Sequence, residues 1–202
     1  MSQKIIRTAL LTLASLAASA ALLSSPASAT PYLVDAFANS SSGGTGVATI
    51  ALTSGQAFTV SVDPNDLWNA GDLPRWSNAD GLTGNRLATG TDDSGQPINT
   101  LIGVNFGLFN DHSISAPYGT LVGEINGVYQ ALGTAFNGLA WATGTLNLFY
   151  WDSNFSDNSE HITADVAARP IDAVPEPGAL ALLGAGLLML LGFSVTRTRH
   201  AA

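Results

Sequence analysis

The sequence predicts an all-β domain, an antiparallel β-sandwich, carried between two apolar termini. Three observations predict it. Three segments alternate apolar and polar residues with period two: Phe58, Val60 and Val62; Leu146, Leu148 and Tyr150; Ile162, Ala164 and Val166. That period puts one face on a core and the other in solvent. Clusters of Gly, Asn, Asp and Pro separate the alternating runs, as short strands joined by turns require. No long segment outside the termini repeats apolar residues every 3.6 positions, so the middle of the chain offers no amphipathic helix.

The chain opens on a short basic stretch carrying Lys4 and Arg7, followed by an apolar run from Thr8 to Leu23. Ser24 to Ala29 then sets small residues around Pro26, with Ala27 and Ala29 in the small-x-small pattern that signal peptidase reads. Residues 1–29 are therefore expected to be a signal peptide cut after Ala29. The helix breaker Pro26 argues against an N-terminal membrane anchor. Residues 30–45 are rich in Ser, Gly, Ala and Asn and read as a flexible lead-in.

The domain itself is assigned to residues 46–166. Besides the three alternating segments, Val47–Leu52, Leu101–Phe109 and Leu121–Ile125 are weaker strand expectations. Residues 167–177 form a Pro-containing spacer that ends in Val174-Pro175-Glu176-Pro177. The two prolines stop any helix from running into the domain. Residues 178–195 are apolar apart from glycines and Ser194. As a helix they span about 27 Å at ~1.5 Å per residue, enough to cross a hydrocarbon core of ~30 Å with little to spare. Residues 196–202 form a basic tail. Arg197 and Arg199 would stop transfer and stay in the cytoplasm, leaving the domain outside.

This three-part ending closely resembles the PEP-CTERM sorting signal of Gram-negative bacteria. The Pro175-Glu176-Pro177 triplet, the glycine-containing span and the terminal arginines carry the resemblance. It implies recognition by an exosortase-type membrane protease, processing near the triplet, and display at the cell surface or in exopolysaccharide.

Composition narrows the function classes. All 15 acids lie between Asp35 and Glu176, where Arg75, Arg86 and Arg169 are the only bases, so that stretch carries −12. A nucleic-acid partner is excluded on charge, whereas divalent cations or neutral polar ligands suit such a surface. There is no cysteine. An exported domain without disulfides must draw stability from its core, an ion or self-association. No G-x-S-x-G, H-E-x-x-H or P-loop occurs, and His112, His161 and His200 share no metal spacing. No enzymatic activity is expected.

One loop concentrates chemistry: Asp152-Ser-Asn154-Phe-Ser156-Asp157-Asn158-Ser159. Carboxylate, amide and backbone oxygens at this density are the hard donors that Ca²⁺ selects. The loop is no EF-hand, because Asp157 stands where glycine is needed and Thr163 where glutamate is needed. A solvated polar turn is the plain alternative.

The order of features around that loop resembles the small calcium-dependent, galactose-specific bacterial lectins. It runs from Phe58–Val62 through Trp68, Arg75-Trp76 and Pro117-Tyr118-Gly119 to Leu146–Asp152 and Asp157-Asn158-Ser159. The resemblance implies a calcium ion on the side chains of Asp152, Asp157 and Asn158 and a backbone carbonyl of Ser156. It implies a further carbonyl from the loop between Trp68 and Trp76, at Gly71 or Asp72. The ion in such lectins also takes two sugar hydroxyls. The family's sugar-contacting His and Gln have no aligned equivalent, since Ala88–Ala116 is longer here; His112 and Gln96 fall in it unassigned. Trp68, Trp76, Trp141 and Trp151 could stack sugars or fill the core, and at least two are expected in the core. The two functional readings are a surface carbohydrate-binding module and a structural surface or biofilm-matrix protein whose polar loop only stabilises the fold.

Overall fold

The computed structural model describes residues 28–170. Ala27, the sorting-signal residues Val174, Pro175, Glu176, Pro177, Arg197 and Arg199, and the apolar C-terminal span lie outside the described residues.

The alternating segments form strands that pair antiparallel. β1 (Thr30–Asp35), β3 (Ala57–Val62), β12 (Ala135–Leu139) and β14 (His161–Ala168) make one sheet in the order β1-β14-β3-β12. β2 (Val47–Leu52), β10 (Thr120–Ile125), β11 (Val128–Ala131) and β13 (Gly144–Trp151) make the second in the order β11-β10-β13-β2. The inward residues meet in one core: Phe58, Val60, Val62, Ile162, Ala164 and Val166 from the first sheet, and Leu121, Ile125, Leu146, Leu148 and Tyr150 from the second. Burial of each large apolar side chain stabilises the fold by roughly 1.5–3 kcal/mol. The all-β antiparallel sandwich is therefore the observed architecture.

Between the halves runs a long insertion of short strands. β4 (Trp68–Asn69) pairs with β5 (Trp76–Ser77), and β6 (Arg86–Leu87) with β7 (Leu101–Gly103). They gather a small second core of Leu67, Trp76, Ala88 and Ile102. β8 (Leu108–Asp111) and β9 (Ile114–Pro117) form a hairpin that closes over Trp151 and Val122 on the outer face of the second sheet. Trp151 Nε1 donates to Phe109 O at 3.1 Å. β10 is consequently buried along most of its length on both faces.

The structure corrects three expectations. Residues 30–45 are not a flexible lead-in. Thr30–Asp35 is an edge strand paired residue for residue with β14, from Thr30 opposite Val166 to Asp35 opposite His161. Tyr32 packs against the core and Val34 is fully buried in it. Second, Leu101–Phe109 is not one strand. It breaks at Val104–Gly107, where Gly107 adopts φ +86 and its N–H bonds Asn105 Oδ1 at 2.9 Å. Third, β14 extends two residues past Val166, so the domain runs to Ala168 before any spacer begins. Ala29, after which signal cleavage is expected, immediately precedes β1.

Candidate metal centre

β13 carries the chain out of the core with Tyr150 and Trp151 fully buried, so the loop that follows starts deep. Asp152 is only 5 % exposed. Phe155–Asp157 makes one 3₁₀ turn, capped by Asn154, whose Oδ1 accepts from Ser156 N at 3.2 Å and Ser156 Oγ at 2.8 Å. Asn154 Nδ2 donates to Asp157 Oδ1 at 2.8 Å. Short polar side chains bonding their own backbone in this way hold a loop that no ladder supports. Asn158 then turns inward, 6 % exposed, with Nδ2 donating to Ala36 O at 3.1 Å. Ser159 N and O pair with Asn69 O and N, both at 3.0 Å, and pin the loop to β4.

The facing wall is the turn between β4 and β5. Gly71 N donates to Asn69 Oδ1 at 3.1 Å, and Ala70 N to Arg75 O at 3.0 Å. Gly71 sits at φ +115, and a Cβ there would lie 2.5 Å from Asp157 Oδ2. The backbone of Gly71 thus lies directly against the Asp157 carboxylate. Gly71→Ala is expected to cost about 1–3 kcal/mol, through left-handed strain and displacement of Asp157. Thermal melts with and without calcium check this: a lower melting temperature is expected in both, with the larger drop in calcium.

Among the described residues Asp152 has no ion-pair partner, and an acceptor beside it goes unsatisfied. Burial pushes the Asp152 carboxyl up to about 6; hydrogen bonds from Ser153 N, the Asn158 side chain and Asn154 N hold it down, and the nearby charge of Asp157 raises it. Asn158 Oδ1 is buried with no hydrogen-bond partner, and so is Tyr150 Oη. Burial, then the charges of Asp152 and Asp157, push the Tyr150 hydroxyl well above its ordinary range. An unsatisfied buried acceptor costs about 1–3 kcal/mol. A hard cation would satisfy the orphaned amide oxygen and keep the buried carboxylate ionised. Among the described residues no three His, Cys, Asp or Glu side chains gather as metal ligands. The oxygen set is mixed, combining carboxylate, amide and backbone groups, which fits Ca²⁺ better than a transition metal.

The structure brings Asp152, Asp157 and Asn158 into one site, with Ser156 in the same turn and Gly71 across from it. His112 is elsewhere, stacked on Tyr129 at 4.2 Å on the outer face of the second sheet. Gln96 lies between β6 and β7, its N–H on Ser94 Oγ at 3.3 Å. Trp68, Trp76 and Trp151 are buried. Trp141 is half-buried and donates to Val128 O at 2.9 Å. Three residues that contact this loop went unread in the sequence: Ala36, Ser41 and Arg75. Arg75 Nη1 reaches Asp157 Oδ2 at 3.4 Å, and Ser41 Oγ bonds both the N and O of Asp152 at 3.2 Å. The adjacency of Arg75 to Trp76 was visible in the sequence; nothing there pointed Ser41 at Asp152.

No protein-family model matches the chain. No curated protein matches it either. Among solved structures it is similar to the EclA N-terminal domain, a PllA-like lectin, with a TM-score of 0.43 at 22 % identity, over 69 % of this chain and 95 % of that one.

Proposed function

We propose that this chain is an exported surface protein whose sandwich binds carbohydrate through a calcium ion. The observation that supports it best is the buried Asp152 carboxylate beside the partnerless Asn158 Oδ1. Asp152, Asp157 and Asn158 would hold the ion, with the carbonyls of Gly71 and Ser156. Bound calcium supplies open positions for a pair of sugar hydroxyls. The acidic surface suits a neutral glycan reached through a cation and disfavours a polyanion. Signal peptidase would release the domain outside the membrane. An exosortase-type protease acting at Pro175-Glu176-Pro177 would then deliver it to the surface or the surrounding polysaccharide.

Melting curves of the full-length protein in detergent test the reading, taken in chelator, in calcium, and in calcium with galactosides. Any ligand that binds the native state raises the melting temperature by mass action. Calcium is expected to raise it, and the sugar to raise it further. A rise with calcium and none with a glycan panel would leave a structural matrix protein stabilised by its ion. No rise with calcium would remove the lectin reading.

A further inference from the structure

We infer that Arg75 is a built-in competitor for the cation, an internal positive charge that occupies the site's edge until calcium displaces it. The inference rests on the calcium reading above. Arg75 Nη1 lies 3.4 Å from Asp157 Oδ2 and 3.4 Å from Ala70 O. One oxygen belongs to the loop that carries Asp152, Asp157 and Asn158; the other belongs to the turn that carries Gly71. A single cationic nitrogen therefore bridges the two loops that an ion would tie together. Both contacts are long for charge-assisted hydrogen bonds, which run to about 2.7–2.9 Å. The guanidinium is held in place more by charge than by close bonding.

Space around it is tight. A Cβ built on Gly71 would sit 2.5 Å from Asp157 Oδ2 and 3.1 Å from Arg75 Nη1. The carboxylate, Gly71 and the guanidinium are thus in mutual contact. A divalent ion drawing on Asp157 and the Gly71 carbonyl meets like charge there, and the two cations compete for one carboxylate oxygen.

Arg75 also has a second partner that does not depend on the carboxylate. Its guanidinium carbon stands 4.9 Å from the centroid of the Phe106 ring. Phe106 is 43 % exposed, and Tyr118 braces it edge-on at 5.3 Å. The ring face holds a cation without needing the carboxylate. Phe106 comes from the long insertion between β5 and β9, so that insertion supplies the resting place. Arg75 thus holds both partners at once without calcium, Asp157 and the Phe106 ring, and would keep Phe106 alone once calcium binds. Calcium affinity is set lower than the oxygen ligands by themselves would give, and the calcium-free loops stay tied together.

Titration calorimetry of the full-length protein in detergent with calcium chloride tests this. Arg75→Gln is expected to bind calcium about tenfold more tightly than wild type. Its melting temperature in chelator is expected to fall, because the bridge between the loops is lost. Arg75→Lys keeps the charge and is expected to stay close to wild type. Equal or weaker calcium binding by Arg75→Gln would overturn the inference and leave Arg75 a plain brace. Wild-type protein that takes up no calcium would instead overturn the metal reading itself. If Arg75→Gln does not fold, the Arg75 Nε–H resonance of ¹⁵N-labelled wild type decides. It is expected to shift on adding calcium; a resonance unmoved at saturation contradicts the exchange.

Discussion

In chelator, the melting temperature rises as the pH is lowered from about 7 to about 4.5; in saturating calcium it falls over the same range. Asp152 sets both signs. Its folded-state value, pushed up to about 6, lies above the ordinary carboxylate value expected in the unfolded chain. The folded state therefore binds this proton more tightly. Its contribution is fully present below pH ~4 and is lost as the pH rises through ~6. The shift corresponds to about 2–3 kcal/mol, or roughly 5–10 °C for a domain of this size. Asp66, also raised by burial, acts in the same direction; Asp92 acts in the opposite one, because hydrogen bonds from Ser94 and Thr89 outweigh its burial and lower it. Calcium needs the ionised carboxylate, so its stabilisation fades as the proton takes the site. Asp152→Asn removes the charge and keeps an oxygen for Ser153 N. It is expected to raise calcium-free stability at neutral pH by about 2–3 kcal/mol, to flatten the acid-side rise, and to abolish the calcium response. Melts across pH with both proteins check all three.

Trp68→Ala is expected to lower stability by about 3–5 kcal/mol and to remove calcium binding with it. Trp68 is fully buried. It packs edge-on against Tyr150 at 4.5 Å, and its Nε1 donates to Gly119 O at 2.9 Å and Asn78 O at 3.3 Å. Truncation leaves a cavity and strips the indole donor from both carbonyls. The same residue begins β4, whose Asn69 is pinned to Ser159 and leads into Gly71. Loosening Trp68 therefore frees one wall of the candidate site as well as the core. Denaturant unfolding gives the stability loss, and calorimetry with calcium gives the binding. Trp68→Phe keeps most of the volume and is expected to recover part of the stability.

The strands with clean alternation were legible because one face of each meets the core. Phe58, Val60 and Val62, and Ile162, Ala164 and Val166, are all buried. β1 was hidden by its context. Its Tyr32 and Val34 alternate correctly, but the strand is short and a run of Ser and Gly begins soon after it, at Ser40. The Asn126-Gly127 pair was a strong hairpin signal. It forms the turn between β10 and β11, with φ +54 and +80, yet the short edge strand behind it went unread. β12 is also short, its register fixed by pairing with β3 from Ala135 opposite Ser61 to Leu139 opposite Ala57. Such pairing depends on tertiary contacts that no local pattern encodes. In the site, the oxygen-rich Asp152–Ser159 loop stood out by composition. The roles of Ala36, Ser41 and Arg75 did not, because each reaches the loop across a long stretch of chain. Only the fold brings Ser41 to Asp152, 111 residues away.

The most direct test is a crystal of the protein grown in calcium, with anomalous scattering recorded to locate the ion. One peak is expected between the side chains of Asp152, Asp157 and Asn158 and the carbonyl of Gly71, with the Arg75 guanidinium withdrawn from Asp157. A map with no peak there, Asn158 Oδ1 bonded to water or protein and Arg75 still on Asp157, would contradict the proposed centre.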